Sequence, residues 1–261
     1  MFGSDAQPYL AALDQIAESV LNTVAQTDAA YHDLEHTVQA TLVGHEILQG
    51  KQCCDRSVSP EDWFHVLVAL VCHDVGYIRS VCAADRPEIH QYATGDPSRA
   101  YVQLSPTATD ASLTPFHVDR GKQFVAEQFA NHPLLNVERL QHYLEFTKFP
   151  VSQEAMYQDT AGYPGLVRAA DLLGQLSDPL YLNKIPALFK EFEEVGSHTL
   201  MGYGGAHDLR AGYPKFYWNS VSLYVQHGVR YLELTQTGRS VLTNLYSNLA
   251  TVERELPLTP A

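Results

Sequence analysis

WFHVLVALVCHDVGY, residues 63–77, is a run of mostly large apolar side chains that ends on an adjacent histidine and aspartate. Burying two ionisable groups at the end of such a segment is costly unless they are paired or hold a metal, so His73 and Asp74 need a chemical reason to be there. Ser59 suits a helix cap, Pro60 the first helical position, and Glu61 and Asp62 the positive end of the helix dipole. The spacing predicts a buried helix over residues 60–75 that delivers His73 and Asp74 to an interior site.

Working outward, apolar residues recur at helical spacing on both sides. Residues 8–26 carry Leu10, Leu13, Ile16, Val20, Leu21 and Val24. Residues 33–48 carry Val38, Leu42, Val43 and Ile47 as an expected inward face, with QGKQCCDRSVSP closing that helix. Helical patterns return at 117–129, 137–146 and 164–176, and Asp178-Pro179 reads as the cap and first turn of another helix to about 194. Two further helices are expected at 216–234 and 237–255. Between them lie two long breaks: residues 79–115, rich in Pro, Gly, Asp, Ser and Thr, with the length of a lid or flap, and the glycine-rich residues 196–214. Convincing strand alternation is absent, so the expectation is an all-α helical bundle.

At 261 residues and 45% hydrophobic content, the chain can bury one large core. A formal net charge of −13 speaks against a nucleic acid polymer or an anionic membrane as partner. A small anionic substrate would then need a metal or a few cations, for which Arg79, Lys148 and Arg168 are candidates; each also reads as an ordinary surface cation. Four cysteines without a CxxC pair, and no secretory segment legible at the N-terminus, give the expectation of a cytoplasmic protein with reduced thiols. No apolar run approaches a membrane span.

Twelve histidines are the compositional oddity. His32 and His36 in YHDLEHT lie four apart, on one helix face. His117 in FHVDRGKQF, His142 in LQHYLEF and Asp171 in VRAADLLGQLSD complete a set of imidazoles and carboxylates suited to a divalent transition metal that activates water. Glu35 reads either as a carboxylate orienting an imidazole or as a solvated one. His198, His207 and Asp208 in the glycine-rich stretch read as a loop that closes over substrate or as a plain solvated loop, and Phe216, Tyr217 and Trp218 as core packing.

In the order H…HD…D, His36, His73-Asp74 and Asp171 resemble the HD-domain metal-dependent phosphohydrolase superfamily over about residues 30–180. YHDLEHT is similar to the YHNxxxH element of cyclic-nucleotide phosphodiesterases, with Asp33 in place of the asparagine. His117 and His142, between the His-Asp pair and Asp171, resemble the six-ligand order of HD-GYP phosphodiesterases, although Tyr77 stands where those proteins have lysine and QHY replaces HHE.

The resemblance implies an HD-domain helical bundle over residues 1–195, with residues 196–261 as a glycine-rich loop and C-terminal helical extension packed on it. It implies a hydrolase for a small phosphorylated substrate, a nucleotide or cyclic nucleotide. Its cofactor is one or two ions of Fe, Mn, Zn, Ni or Co. His36, His73, Asp74 and Asp171 would hold one ion; His117 and His142, with Asp74 bridging, would hold a second. Asp74 and His32 are the expected catalytic residues, His32 as proton donor to the leaving oxygen. The same ligand order also fits mixed-valence diiron oxygenases, and a binding-only sensor is the non-enzymatic alternative. The C-terminal helices are expected either to cap the site or to form a homodimer.

Overall fold

The computed structural model describes residues 2–256; residues 1 and 257–261, the outer ends of the two expected divisions, lie outside the described residues. Eleven α-helices and one small sheet make up the described chain, an all-α fold as expected. The first is α1 (Gln7–Val24), buried through Ala12, Ile16, Val20 and Val24. The second, α2 (Leu34–Asp55), is capped by the Asp33 side chain, which accepts from the His36 amide at 3.0 Å. It runs seven residues past the expected end, through QGKQCCD, and stops at Arg56 in the left-handed region.

The buried face of α2 keeps Val43 and Ile47 of the four expected residues and turns away the other two. His36, Thr37, Ala40, Val43, Gly44, Ile47 and Leu48 point inward, whereas Val38 and Leu42 face solvent. Helix α3 (Pro60–Cys72) opens with a full capping box between Ser59 and Asp62. Ten consecutive residues of it, Trp63 to Cys72, are buried; each large side chain among them contributes about 1.5–3 kcal/mol by leaving water.

After a 3-10 turn over Val75–Tyr77, the irregular segment is more structured than its composition suggests. It holds the antiparallel strands β1 (Gln91–Ala93) and β2 (Tyr101–Gln103), in register with Tyr92 opposite Val102, and a 3-10 helix over Asp110–Phe116. The strands escape a search for alternation because three residues each are too few to show it. Arg120 fixes this hairpin to the His-Asp turn: its fully buried guanidinium binds both oxygens of Asp85 at 2.9 and 3.0 Å and the carbonyls of Gly76, Ile78 and Ala93.

Four helices follow: α4 (His117–Phe129), α5 (Val137–Glu145), α6 (Tyr163–Leu176) and α7 (Tyr181–Glu194). The crossing of α2 and α6 is close because a β-carbon on Gly174 would lie only 2.7 Å from the Ala40 Cα. The expected loop at 196–214 instead holds α8 (Ser197–Leu200) and most of α9 (Ala206–Phe216). The helix expected at 216–234 is broken: a π turn at Tyr217–Val221 leads to α10 (Gln226–Leu232), then α11 (Gln236–Glu255).

The last helices are tied to the rest of the molecule. Asn248 on α11 donates to the carbonyls of Leu176 and Asp178, and Tyr213 on α9 to that of Leu176. Tyr217 packs in the core as expected, but Trp218 does not; it is half exposed. No described helix is long and apolar enough to cross a membrane.

Candidate metal centre

Three crossing helices bring the site together. His36 sits in the first turn of α2, His73 and Asp74 at the C-terminal end of α3, and Asp171 in the middle of α6. Gly76 allows the turn beyond Asp74 to press against α4: a β-carbon there would fall 1.8 Å from the His117 carbonyl oxygen and 2.6 Å from the Gly121 nitrogen.

The donor atoms converge. Nε2 of His36 lies 3.2 Å from Asp74 Oδ2 and 3.4 Å from Asp171 Oδ1. Nε2 of His73 lies 3.1 and 3.5 Å from the same two oxygens, and the two imidazole nitrogens are 3.2 Å apart. Ligands about 2.0–2.2 Å from a divalent ion stand roughly 3.0–3.5 Å from one another along the edges of its coordination polyhedron, so these spacings match a shared cation.

Two further features separate this arrangement from a salt-bridge cluster. His73 Nδ1 donates to the Leu70 carbonyl at 2.7 Å, which leaves Nε2 to turn a lone pair inward. Asp74 Oδ2 is fully buried and close to both imidazoles, yet no N–H points at it in hydrogen-bonding geometry. A buried carboxylate oxygen without a donor is rare and costly, and a cation satisfies it. His36, His73 and Asp171 thus form one buried group that could hold a metal ion; His36 and Asp74 with His32 form another.

Without a cation, the cluster holds protons instead. Burial alone would lower the His36 pKa, but the carboxylates of Asp171 and Asp74 more than offset it and raise it to about 9. His73 is likewise raised, against burial, by Asp74 and Asp171. Burial would raise both aspartates, and the charge of His73 holds each below the usual carboxylate range, with His36 adding to the effect.

His32 does not share a helix face with His36 as expected, because the Asp33 cap starts α2 after it; it stands at the rim, on the loop before α2, with its Nδ1 2.5 Å from Glu191 Oε2. Glu191, buried on α7, also accepts from the amides of Tyr31 and His32 at 2.6 and 3.1 Å. Burial would raise the Glu191 pKa; His32 and the two amides bring it below its ordinary value. Glu191 belongs to no motif and is missed by motif reading. The signal that finds it is phase: it follows Ile185 and Leu188 on the buried face of α7, where a carboxylate requires a partner.

His117 approaches from α4. Its Nδ1 donates to the Thr114 carbonyl at 2.6 Å and its Nε2 is 4.0 Å from Asp74 Oδ1. Burial lowers its pKa despite Asp74, so the ring is neutral at pH 7. Between His32 and His117 lies Tyr77, buried, with His32 stacked at 4.5 Å and 13° and His117 at 4.4 Å and 25°.

The structure does not bring His142 to this cluster. It is exposed on α5, with its ring against Phe146 and Tyr143. The cations considered for phosphate are engaged elsewhere. Arg79 pairs with Asp110 and Asp28, Lys148 with Asp119 and Glu145, and Arg168 donates to the carbonyls of Tyr157 and Asp159 between the Phe146 and Tyr224 rings. Glu35 is a surface carboxylate paired with Lys184. His198 contacts Phe189 and the Phe192 carbonyl, His207 is exposed, and Asp208 accepts from the Gly204 amide, so each is engaged locally or in solvent.

No curated protein and no solved structure matches the chain. One family model does match, over residues 1–255, which includes every residue of the cluster, and the chain belongs to the Npun_R2479-like family.

Proposed function

We propose that the chain is an HD-type metal-dependent phosphohydrolase, cytoplasmic, that cleaves a small phosphoester of the nucleotide or cyclic-nucleotide class. The observation that carries this reading is the convergence of four donor atoms from three helices, with Asp74 Oδ2 left without a hydrogen-bond donor. His36, His73, Asp74 and Asp171 would hold the ion, one of Fe, Mn, Zn, Ni or Co, since imidazole with carboxylate suits these metals. A bound divalent ion supplies Lewis acidity towards a phosphoryl oxygen and ionises water near neutral pH.

The remaining work falls to the flanking side chains. With Nδ1 held by the buried Glu191 carboxylate, the His32 ring is oriented to present Nε2 as the proton donor to the leaving oxygen. His117, neutral and held by Thr114, turns Nε2 towards Asp74 as an acceptor for water or a substrate hydroxyl. Because Arg79, Lys148 and Arg168 are engaged internally, a phosphodiester with one negative charge suits the site better than a polyphosphate.

The test is turnover on a panel of cyclic, monoester and dinucleotide substrates. Chelator-stripped protein, reloaded separately with each metal, is expected to cleave at least one member, and His73→Ala is expected to cleave none. Full metal loading with no cleavage of any substrate would overturn the hydrolase reading in favour of a binding-only protein.

A further inference from the structure

The rings of His32 and His117 stack on Tyr77 nearly parallel to it and make no ring contact with each other, so they occupy its opposite faces. Their centres are therefore about two stacking distances apart. One ion bound to both would need their nitrogens within roughly 4 Å of each other, which the phenol ring prevents. We propose that Tyr77 is a wedge that stops His32 and His117 from joining on a second ion and so confines this centre to one ion per chain. This inference rests on the metal-centre reading above.

The other donors point the same way. The two groups able to hold a metal share His36, and every close contact of that ring with the cluster runs through Nε2, whose single lone pair serves one ion. His142, the remaining histidine between Asp74 and Asp171 with an expected ligand role, is exposed on α5. What is left for a second ion is Asp74 with one nitrogen of either His117, 4.0 Å from Oδ1, or His32, since Tyr77 keeps the two rings apart. Two protein donors fall short of the three that catalytic sites of this kind supply. Tyr77 is 2% exposed and anchored by the turn that Arg120 binds through Gly76 and Ile78, so the wedge is fixed. A one-ion centre also separates this chain from chemistry that requires two irons.

The full chain is stripped, reloaded with excess Mn2+, freed of unbound ion and measured by elemental analysis and by electron paramagnetic resonance. One Mn per chain with the spectrum of an isolated ion is expected. His117→Ala and His32→Ala should keep that stoichiometry, while His73→Ala should lose at least 90% of the metal. Tyr77→Ala, if folded, should gain a second ion and a spin-coupled spectrum, which loss of packing alone would not produce. Two ions in the native chain, or a halved content in His117→Ala or His32→Ala, would overturn the wedge and leave the metal centre standing. No retained metal in the native chain would overturn both.

Discussion

Helices α2 and α5 each carry a histidine that the sequence marks as a ligand, and only one delivers it. His36 shares the buried face of α2 with Ala40, Val43 and Ile47, at intervals of four, seven and eleven residues. On α5 the buried residues are Leu140, Tyr143 and Leu144, and His142, two positions from Leu140, lies about 200° around the helix from it. Motif order gives the two histidines equal standing; helical phase does not. A ligand must share the face that packs.

The comparison breaks most sharply at His73. His73→Ala removes three edges of the donor polyhedron and leaves His36 as the one imidazole between Asp74 and Asp171. Metal content is expected to fall by at least 90% and turnover by at least about 10³-fold, measured on the same sample.

Glu191→Gln sharpens the division between holding the ion and moving the proton. The amide keeps the shape but loses the carboxylate charge that faces the His32 ring. Turnover is expected to drop about 10²-fold with metal content unchanged. A parallel loss of metal would move Glu191 into the support of the ion site.

Gly76→Ala tests the turn itself. The new methyl would lie 1.8 Å from the His117 carbonyl oxygen, a backbone atom that cannot swing aside. About 3 kcal/mol of stability is expected to be lost in urea unfolding of the metal-free chain, if the variant folds.

The metal-free cluster should also show itself in pH dependence. His36, raised to about 9, contributes stability that is fully present below its unfolded value near 6.5 and is lost as pH climbs through 9. Asp74 and Asp171, lowered, contribute above the unfolded carboxylate value near 4 and lose it only at lower pH. The stripped chain should thus be most stable between about pH 4 and 6.5 and melt about 5 °C lower at pH 9. Loaded protein should show the smaller fall, since binding requires the imidazoles deprotonated.

How much could be read beforehand follows from the same contrast. The Ser59 cap, Pro60 and the apolar run located α3 to within a few residues, because local chemistry specifies where a helix begins. The four-residue set His36, His73, Asp74 and Asp171 was legible from order and helical context. The inward face of α2 was legible at Val43 and Ile47 only, because hydrophobicity also pointed to Val38 and Leu42, whereas close packing on α6 selects the small residues Ala40 and Gly44. Glu191 and the Tyr77 stack depend on contacts between residues forty or more positions apart, which no local pattern encodes.

The smallest expected effects fall on the residues that phase sets aside. His142→Ala should leave metal content unchanged and turnover within about twofold, because the exposed ring contacts only neighbours on its own helix and the residue just beyond it. Leu42→Glu should shift stability by no more than about 0.5 kcal/mol, since that side chain is 56% exposed, whereas Ile47→Ala, on the buried face of the same helix, should cost about 2–5 kcal/mol. If His142→Ala instead halved the metal content, helical phase would lose its authority over ligand assignment here, and α5 would have to rotate in the loaded protein to bring that ring inward.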